Sequence, residues 1–216
     1  MPHGFLWLEI ENYAVVFPTT LMTHPGYRAI IAHWAIPMAI AAIAAFLQAA
    51  GSIETWRLER GLALAEPWRL ASGQLMHLSW MHMLMNLAGL GIVWALFGRD
   101  LQARQWAAAI FACGAGVNLG LLGFSPDLDW YVGFSGILHG LLAAALLVRI
   151  FRRPTVLTAL VLIGLAAKLA WEQLGGGEAD TAHLIGGTVV VDAHFYGALA
   201  GAAWGGFLIL IRRRAP

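Results

Sequence analysis

Long apolar segments alternate with short polar ones along most of this 216-residue chain. Six of these segments approach the length of about 20 residues that a helix needs to cross a bilayer. Each one ends at charged residues or at clusters of glycine and proline. The pattern therefore predicts six spanning helices, near residues 30–50, 76–97, 105–123, 132–150, 155–174 and 190–211.

The first 28 residues do not have the pattern of a spanning helix. Apolar residues such as Phe5 and Trp7 are interrupted by Glu9, Glu11 and Pro18. The segment also lacks the basic start and the small-residue cleavage site of a signal peptide. We therefore expect an N-terminal interfacial segment over residues 1–28, followed by a single six-span domain over residues 29–216.

The connections between the predicted spans carry different charges on the two sides. Arginines cluster at alternate ends of the spans, at Arg28, Arg99, Arg104, Arg149, Arg152, Arg153 and Arg212 to Arg214. Aspartate and glutamate predominate at the other ends. Because arginine and lysine mark the cytoplasmic side of membrane proteins, both termini should be cytoplasmic. The predicted fold class is an all-α polytopic membrane protein with an acidic outer face.

The composition agrees with a protein that lives in a bilayer. Hydrophobic residues make up 60% of the chain and charged residues 12%, about half the charged fraction of a soluble domain. The formal net charge of +1 is too small for a surface that tracks phosphates, which excludes nucleic acid as a partner. A single cysteine, Cys113, excludes an intramolecular disulfide and a cysteine-ligated metal, and it is expected to pack in an apolar stretch.

Polar side chains inside the predicted spans are candidates for function because they are expensive to place in a bilayer. They are His77, His82, Asn86, Ser135, His139, Lys168, Glu172 and His194. At ~1.5 Å per residue, His82, Ser135 and His194 lie about 25, 21 and 27 Å from the arginines at the inner ends of their spans. Three spans thus place a reactive group at nearly one depth, in the outer third of the bilayer.

Small residues predict that the fourth and sixth spans pack closely. Glycines follow His194 after three, seven and eleven residues, and a second stripe of small residues adjoins Ser135. Close packing would bring the Ser135 hydroxyl to the His194 ring, as a nucleophile and its general base. His82 and Asn86 lie four residues apart and could donate hydrogen bonds to an oxyanion, together with the Ser135 amide. This set of groups indicates acyl transfer or peptide hydrolysis without a metal.

Each of these features also has a purely structural interpretation. A Gly-x-Ser-Gly motif is common where membrane helices pack, and a buried histidine can serve as an interhelical hydrogen bonder. Lys168 and Glu172 are interpreted as a mutually neutralising or snorkelling pair near the outer rim. His183 is expected to be solvated in a Gly-rich outer loop. No HExxH or comparable ligand spacing is present, so neither a metal nor another cofactor is expected.

Four motifs follow one another in order between Glu66 and Gly205. They are Trp68-Arg69, His77-Leu-Ser-Trp-Met-His82-Met-Leu-Met-Asn86, Gly133-Phe-Ser135-Gly136, and Ala193-His194-Phe-Tyr-Gly197-Ala-Leu-Ala-Gly201. In this order and spacing they resemble the rhomboid family of intramembrane serine proteases.

The resemblance implies a six-helix rhomboid core and a protease domain over residues 29–216. It implies a catalytic dyad of Ser135 and His194 without an acidic third member. It further implies an oxyanion hole formed by His82, Asn86 and the Ser135 amide, next to Gly133. Trp68 and Arg69 would help to anchor the first outer loop in the interface.

One position departs from the usual rhomboid pattern. His139 stands four residues after the nucleophile, where typical rhomboids have a tyrosine that packs on the catalytic histidine. Together with the small size and the Lys168-Leu-Ala-Trp171-Glu172 segment, this resembles the rhombosortase branch. Rhombosortases are linked with bacterial substrates whose C-terminal tail has a Gly-Gly-type motif, a hydrophobic helix and a basic end. We expect His139 to pack against His194 and orient it, and a proton-transfer role is the alternative.

The function implied by the resemblance is a serine endopeptidase in the bacterial inner membrane with its active site toward the periplasm. Its partners would be the lipid bilayer and a membrane-anchored protein cut near the outer end of its spanning helix. One alternative is a catalytically silent rhomboid-like binder of transmembrane helices, although such proteins usually lack the serine or the base. A small transporter would need an ionisable pathway through the whole bilayer, and the inner halves of these spans are almost purely apolar.

Overall fold

The computed structural model describes residues 5–10, 13–18, 25–176 and 179–213. These residues form nine α-helices, which are α1 Pro25–Ala50, α2 Ile53–Trp56, α3 Arg69–Leu75, α4 Trp80–Phe97, α5 Ala103–Phe124, α6 Ser135–Arg152, α7 Val156–Gln173, α8 Ala179–Ile185 and α9 Val191–Arg213. Four short strands accompany them, which are β1 Phe5–Ile10, β2 Tyr13–Pro18, β3 Leu58–Glu59 and β4 Trp130–Tyr131. A 3-10 turn covers Arg60–Leu62.

Six of the described helices are long and apolar enough to cross a membrane. Their spanning parts are Ala29–Ala50, Trp80–Phe97, Ala103–Phe124, Ser135–Arg152, Val156–Gln173 and Val191–Arg212. The six predicted spans and the all-α polytopic fold class are confirmed. The bounds agree within a few residues because a spanning helix needs an apolar stretch of about this length.

The second span begins later than its hydrophobicity predicts. Ser79 has an extended backbone, and its hydroxyl accepts a hydrogen bond from the His82 amide at 3.1 Å, so it caps α4. The helix therefore begins at Trp80 and not near residue 76. His77, which the sequence pattern places inside the span, lies in the connection between α3 and α4.

The N-terminal segment contains a β-hairpin. Strand β1 pairs antiparallel with β2, from Phe5 opposite Pro18 to Ile10 opposite Tyr13. Helix α1 then begins at Pro25, inside the stretch of 28 residues that we separate from the six-span domain on sequence. The interfacial position expected for this segment stays a prediction.

Helix α6 lies at the centre of the bundle and packs backbone to backbone against α9. A methyl group added to Gly197 would lie 1.9 Å from the carbonyl oxygen of Gly136, and one added to Gly201 would lie 1.9 Å from that of Gly140. Only glycine fits at such contacts. The glycine face predicted on the sixth span therefore packs against the fourth span. This packing places His194 next to Ser135.

The connection between α1 and α4 is held in place by hydrogen bonds within the protein. The Arg60 guanidinium donates hydrogen bonds to four carbonyls, those of Leu121 and Leu122 in the last turn of α5 and those of Ser125 and Leu128 after it. Such bonds satisfy helix carbonyls that have no partner within the helix. Arg69 pairs with Glu66 and donates to the Glu54 and Arg57 carbonyls. Trp68 is 51% exposed and Arg69 7%. Of the Trp68-Arg69 motif, only Trp68 therefore reaches the surface, and Arg69 binds the backbone of its own loop.

Helix α7 is the span with the least protein around it. Of its spanning residues 17% are buried, against 50% for α6. Its buried residues are Thr158, Leu165 and Glu172. The last of these is a carboxylate, which indicates that its position has a purpose beyond helix packing.

Candidate active site

Ser135 and His194 meet where the first turns of α6 and α9 lie together, at one end of the α6–α9 contact. Ser135 is the first residue of α6, and His194 lies in the first turn of α9. The Ser135 Oγ atom is 2.9 Å from Nε2 of His194, whose residue is only 5% exposed. The structure thus brings together the two residues that the sequence predicts as a nucleophile and its base.

The other ring nitrogen of His194 faces a carboxylate. Its Nδ1 atom is 3.1 Å from Oε1 and 3.2 Å from Oε2 of Glu172. A carboxylate only accepts hydrogen bonds, so Nδ1 carries the proton. In the neutral ring Nε2 then has the lone pair, and the Ser135 hydroxyl donates to it.

Glu172 has a second contact that the sequence does not predict. The predicted ion pair with Lys168 is present, because the Lys168 ammonium donates to Glu172 Oε1 one helical turn away. The contact between Glu172 and His194 was not predicted. The depth of Glu172 in the bilayer could have predicted this contact. Glu172 lies about 28 Å from Arg153 along its span at ~1.5 Å per residue, close to the distance between His194 and the arginines of its own span.

His139 lies beside His194 as its spacing from Ser135 predicts. The two imidazoles stack with their centroids 4.1 Å apart and their planes 19° from parallel. Nδ1 of His139 is 2.7 Å from the Ser135 carbonyl oxygen and donates to it, since a carbonyl can only accept. Nε2 of His139 is therefore an acceptor when the ring is neutral.

His82 and Asn86 line the same cavity as Ser135, with a volume of about 350 Å³. Nδ1 of His82 accepts a long hydrogen bond of 3.4 Å from the Leu78 amide, which leaves the proton on Nε2 of the neutral ring. The Asn86 amide nitrogen donates to the His82 carbonyl at 3.2 Å and has a second proton free to donate. Both side chains can thus present an N–H to the cavity.

Gly133 shapes the wall between His82 and Ser135. Its φ of +127° is a conformation that glycine adopts freely. A methyl group added there would lie 2.9 Å from Cε1 of His82. The Tyr131 hydroxyl donates to the Gly133 carbonyl at 2.7 Å, and burial raises the pKa of Tyr131 to about 12, so this donor keeps its proton at neutral pH.

His77 and His183 do not line the cavity beside Ser135. His77 is fully buried, and its ring meets that of His82 edge to face with the centroids 5.0 Å apart. Burial, with a smaller effect of His82, lowers the pKa of His77 to about 3, so it is neutral at neutral pH. His183 is exposed as expected, but it belongs to the short helix α8 and not to a loop.

Three side chains in the described part of the chain are close enough to share a metal ion. The ligand atoms of His139, Glu172 and His194 all lie within 4.8 Å of one another. A cation there would have to displace the Lys168 ammonium from Glu172 and the proton between Glu172 and His194. That no metal is required stays a prediction.

These features define a polytopic membrane protein with a partly buried serine–histidine pair between two of its spans. The Rhomboid domain family model matches residues 64–211, well over half of the sequence, and the chain belongs to the rhomboid family. Members of this family are generally intramembrane serine proteases, although some are inactive. No curated protein matches the chain.

Proposed function

We propose that this protein is an active intramembrane serine protease in which Ser135 is the nucleophile and His194 the general base. The observation that carries the proposal is the 2.9 Å contact between Ser135 Oγ and His194 Nε2, formed by residues from two different spans. A nucleophile within hydrogen-bond reach of an oriented base is the arrangement that serine chemistry needs.

In the proposed reaction, Ser135 Oγ attacks the scissile carbonyl while its proton passes to Nε2 of His194. The tetrahedral intermediate carries an oxyanion, which Nε2–H of His82, the second amide proton of Asn86 and the Ser135 backbone N–H would stabilise. His194 then gives the proton to the leaving amine as the C–N bond breaks. Water hydrolyses the acyl-enzyme by the same steps and restores the serine.

The proposed substrate is a membrane-anchored protein that enters from the bilayer. An apolar groove of about 660 Å³ lies between α4, α6 and α7 and shares Leu138, His139 and Lys168 with the candidate site. Such a groove matches the side of a substrate helix whose outer end unwinds at the serine. A rhombosortase-like sorting tail has this form, with a glycine-rich juncture, a hydrophobic helix and a basic end.

The proposed setting is the bacterial inner membrane, with both termini in the cytoplasm and the site toward the periplasm. The arginines at alternate ends of the spans support this orientation. In this arrangement residues 29–216 form the protease domain and residues 1–28 an interfacial segment.

A direct test uses the purified protein in liposomes with a model spanning substrate that carries a glycine-rich outer juncture. We expect cleavage by the wild type and labelling of Ser135 by a fluorophosphonate, with both lost in Ser135→Ala. The substitution should not unfold the protein, because alanine suits a small-residue contact. Cleavage by Ser135→Ala would refute the serine mechanism. Binding of the spanning substrate by the wild type without cleavage or labelling would instead identify a silent helix binder.

A further inference from the structure

We propose that Glu172 is a positioning residue that holds His194 in its reactive tautomer, with Lys168 as the counter-ion of the carboxylate. The proposed protease would then use a serine–histidine–glutamate triad and not the dyad implied by the rhomboid resemblance. This inference rests on the proposed function and adds a third residue to it.

The first argument is the geometry around Nδ1 of His194. Both oxygens of Glu172 lie within 3.2 Å of that atom, and the residues are 8% and 5% exposed. A pair formed only to neutralise Lys168 would have no need to bury its carboxylate against an imidazole, because Lys168 itself is exposed. The buried end of the pair is the end that meets His194.

The second argument is the tautomer. A neutral imidazole has one N–H proton. It can accept the Ser135 proton only if Nε2 is unprotonated. Glu172 accepts a hydrogen bond at Nδ1 and thereby favours the tautomer with the lone pair on Nε2. Without the carboxylate the proton is free to reside on Nε2, where it would point at the serine oxygen and block the proton transfer.

The third argument is the charge that develops during the reaction. When the Ser135 proton reaches His194 the ring becomes an imidazolium, and the Glu172 carboxylate beside it offsets that charge. In the resting site a lone buried carboxylate would be costly. Lys168 offsets that cost because it binds the same carboxylate from the neighbouring turn.

His139 cannot take the place of Glu172 at Nδ1. Its ring covers a face of His194, with the centroids 4.1 Å apart, and its own Nδ1 is bound to the Ser135 carbonyl. His139 thus limits the tilt of the His194 ring, and Glu172 fixes which nitrogen carries the proton.

The test compares Glu172→Gln and Glu172→Asp with Glu66→Gln in liposomes. Glu66 is a suitable control because its carboxylate pairs with Arg69 in the outer loop and does not line the cavity. Removing the charge of the acid in soluble serine proteases lowers kcat by about 10⁴-fold. We expect Glu172→Gln to lower kcat and the rate of Ser135 labelling by at least about 10²-fold with little change in KM, and Glu172→Asp to lose less. Glu66→Gln should stay within about threefold of the wild type.

A rescue experiment separates positioning from folding. Glu172→Ala leaves a gap beside a cavity of about 350 Å³, and added formate can supply a carboxylate there. We expect formate to restore part of the activity of Glu172→Ala and none of that of His194→Ala. A purely structural carboxylate would give no such rescue. If Glu172→Gln fails to fold, Lys168→Met/Glu172→Gln removes the unpaired ammonium and the same measurements apply.

Three results would overturn the triad. They are a kcat of Glu172→Gln within about threefold of the wild type, absence of formate rescue in folded Glu172→Ala, and loss of wild-type activity in EDTA, which would make Glu172 a metal ligand. Each leaves the protease proposal intact as long as Ser135→Ala is inactive. Cleavage by Ser135→Ala would instead remove the protease proposal together with the triad.

Discussion

The imidazole of His139 lies nearly flat against that of His194, with the ring centroids 4.1 Å apart and the planes 19° from parallel. The two residues come from different spans, α6 and α9. His139 is one turn along α6 from Ser135, so the stack links the base to the helix that carries the nucleophile. This contact determines what substitutions at residue 139 should do.

His139→Tyr and His139→Phe should retain measurable proteolysis, because each keeps a flat ring against His194. His139→Ala should lose more, since it removes the surface that limits the tilt of the base. The measurement is kcat on a model spanning substrate, with thermal unfolding as a control for folding. Aromatic variants that are folded but as inactive as His194→Ala would mean that His139 acts through its nitrogens.

Asn86→Ala and His82→Ala should each lower turnover by about 10²-fold or more, the usual effect of removing one donor from a preorganised oxyanion hole. The fluorophosphonate should still label Ser135 in both variants, slowly, because the nucleophile and base remain. Steady-state kinetics and a labelling time course test this. Unchanged turnover in both variants would assign the two residues to packing.

The substrate should be cut near the outer end of its spanning helix. Ser135 and His194 lie at the ends of α6 and α9 away from the arginine clusters, and glycine at that point lets the substrate backbone unwind. Mass spectrometry of both products from liposomes will locate the bond. A cut at the end of the helix that carries the basic residues would contradict the proposed orientation.

Chelators should leave proteolysis unchanged, because the proposed chemistry moves one proton between Ser135 and His194 and uses no Lewis acid. Activity is measured after dialysis against EDTA and again after zinc is added back. Loss on dialysis with recovery in zinc would instead assign His139, Glu172 and His194 to a metal site.

The stability of the protein should fall in mild acid partly through His77. Its pKa is about 3 in the folded protein and 6.5 in a model peptide, so the unfolded chain takes up a proton as pH falls below 6.5 and the folded protein does not. This proton uptake favours unfolding. The melting temperature of the wild type should therefore drop more between pH 7 and pH 5 than that of His77→Leu. Parallel changes in the two proteins would exclude His77 as a source of the acid sensitivity.

The sequence predicts the spans and the α6–α9 contact well because simple local patterns determine both. Apolar length identifies a spanning helix without knowledge of its neighbours. The glycines after His194 have a helical period, so they identify the face that meets Ser135 before any partner is known. In the structure this face brings His194 to within 2.9 Å of Ser135, and the catalytic roles of the two residues stay a prediction.

Features that depend on contacts distant in sequence were beyond this kind of prediction. Arg60 binds carbonyls in the last turn of α5 and just after it, more than 60 residues away, and no local pattern indicates this. Glu172 was missed for another reason, because Lys168 one turn before it offered a sufficient local partner. Because Lys168 already neutralises the Glu172 carboxylate, the local sequence gives no reason to expect its second contact, with His194.

Helix α7 gives the surrounding lipid a part in the proposed catalysis. This span carries Glu172, and only 17% of its residues are buried, so few protein contacts oppose a change in its tilt when the bilayer thickness changes. Its 18 residues extend for ~27 Å, slightly less than the ~30 Å of a typical hydrocarbon core. Thicker membranes will pull α7 upright and thinner ones will let it lean, and either movement shifts the carboxylate along the His194 ring. Turnover should therefore follow acyl-chain length, with a maximum at the thickness that keeps Glu172 opposite Nδ1.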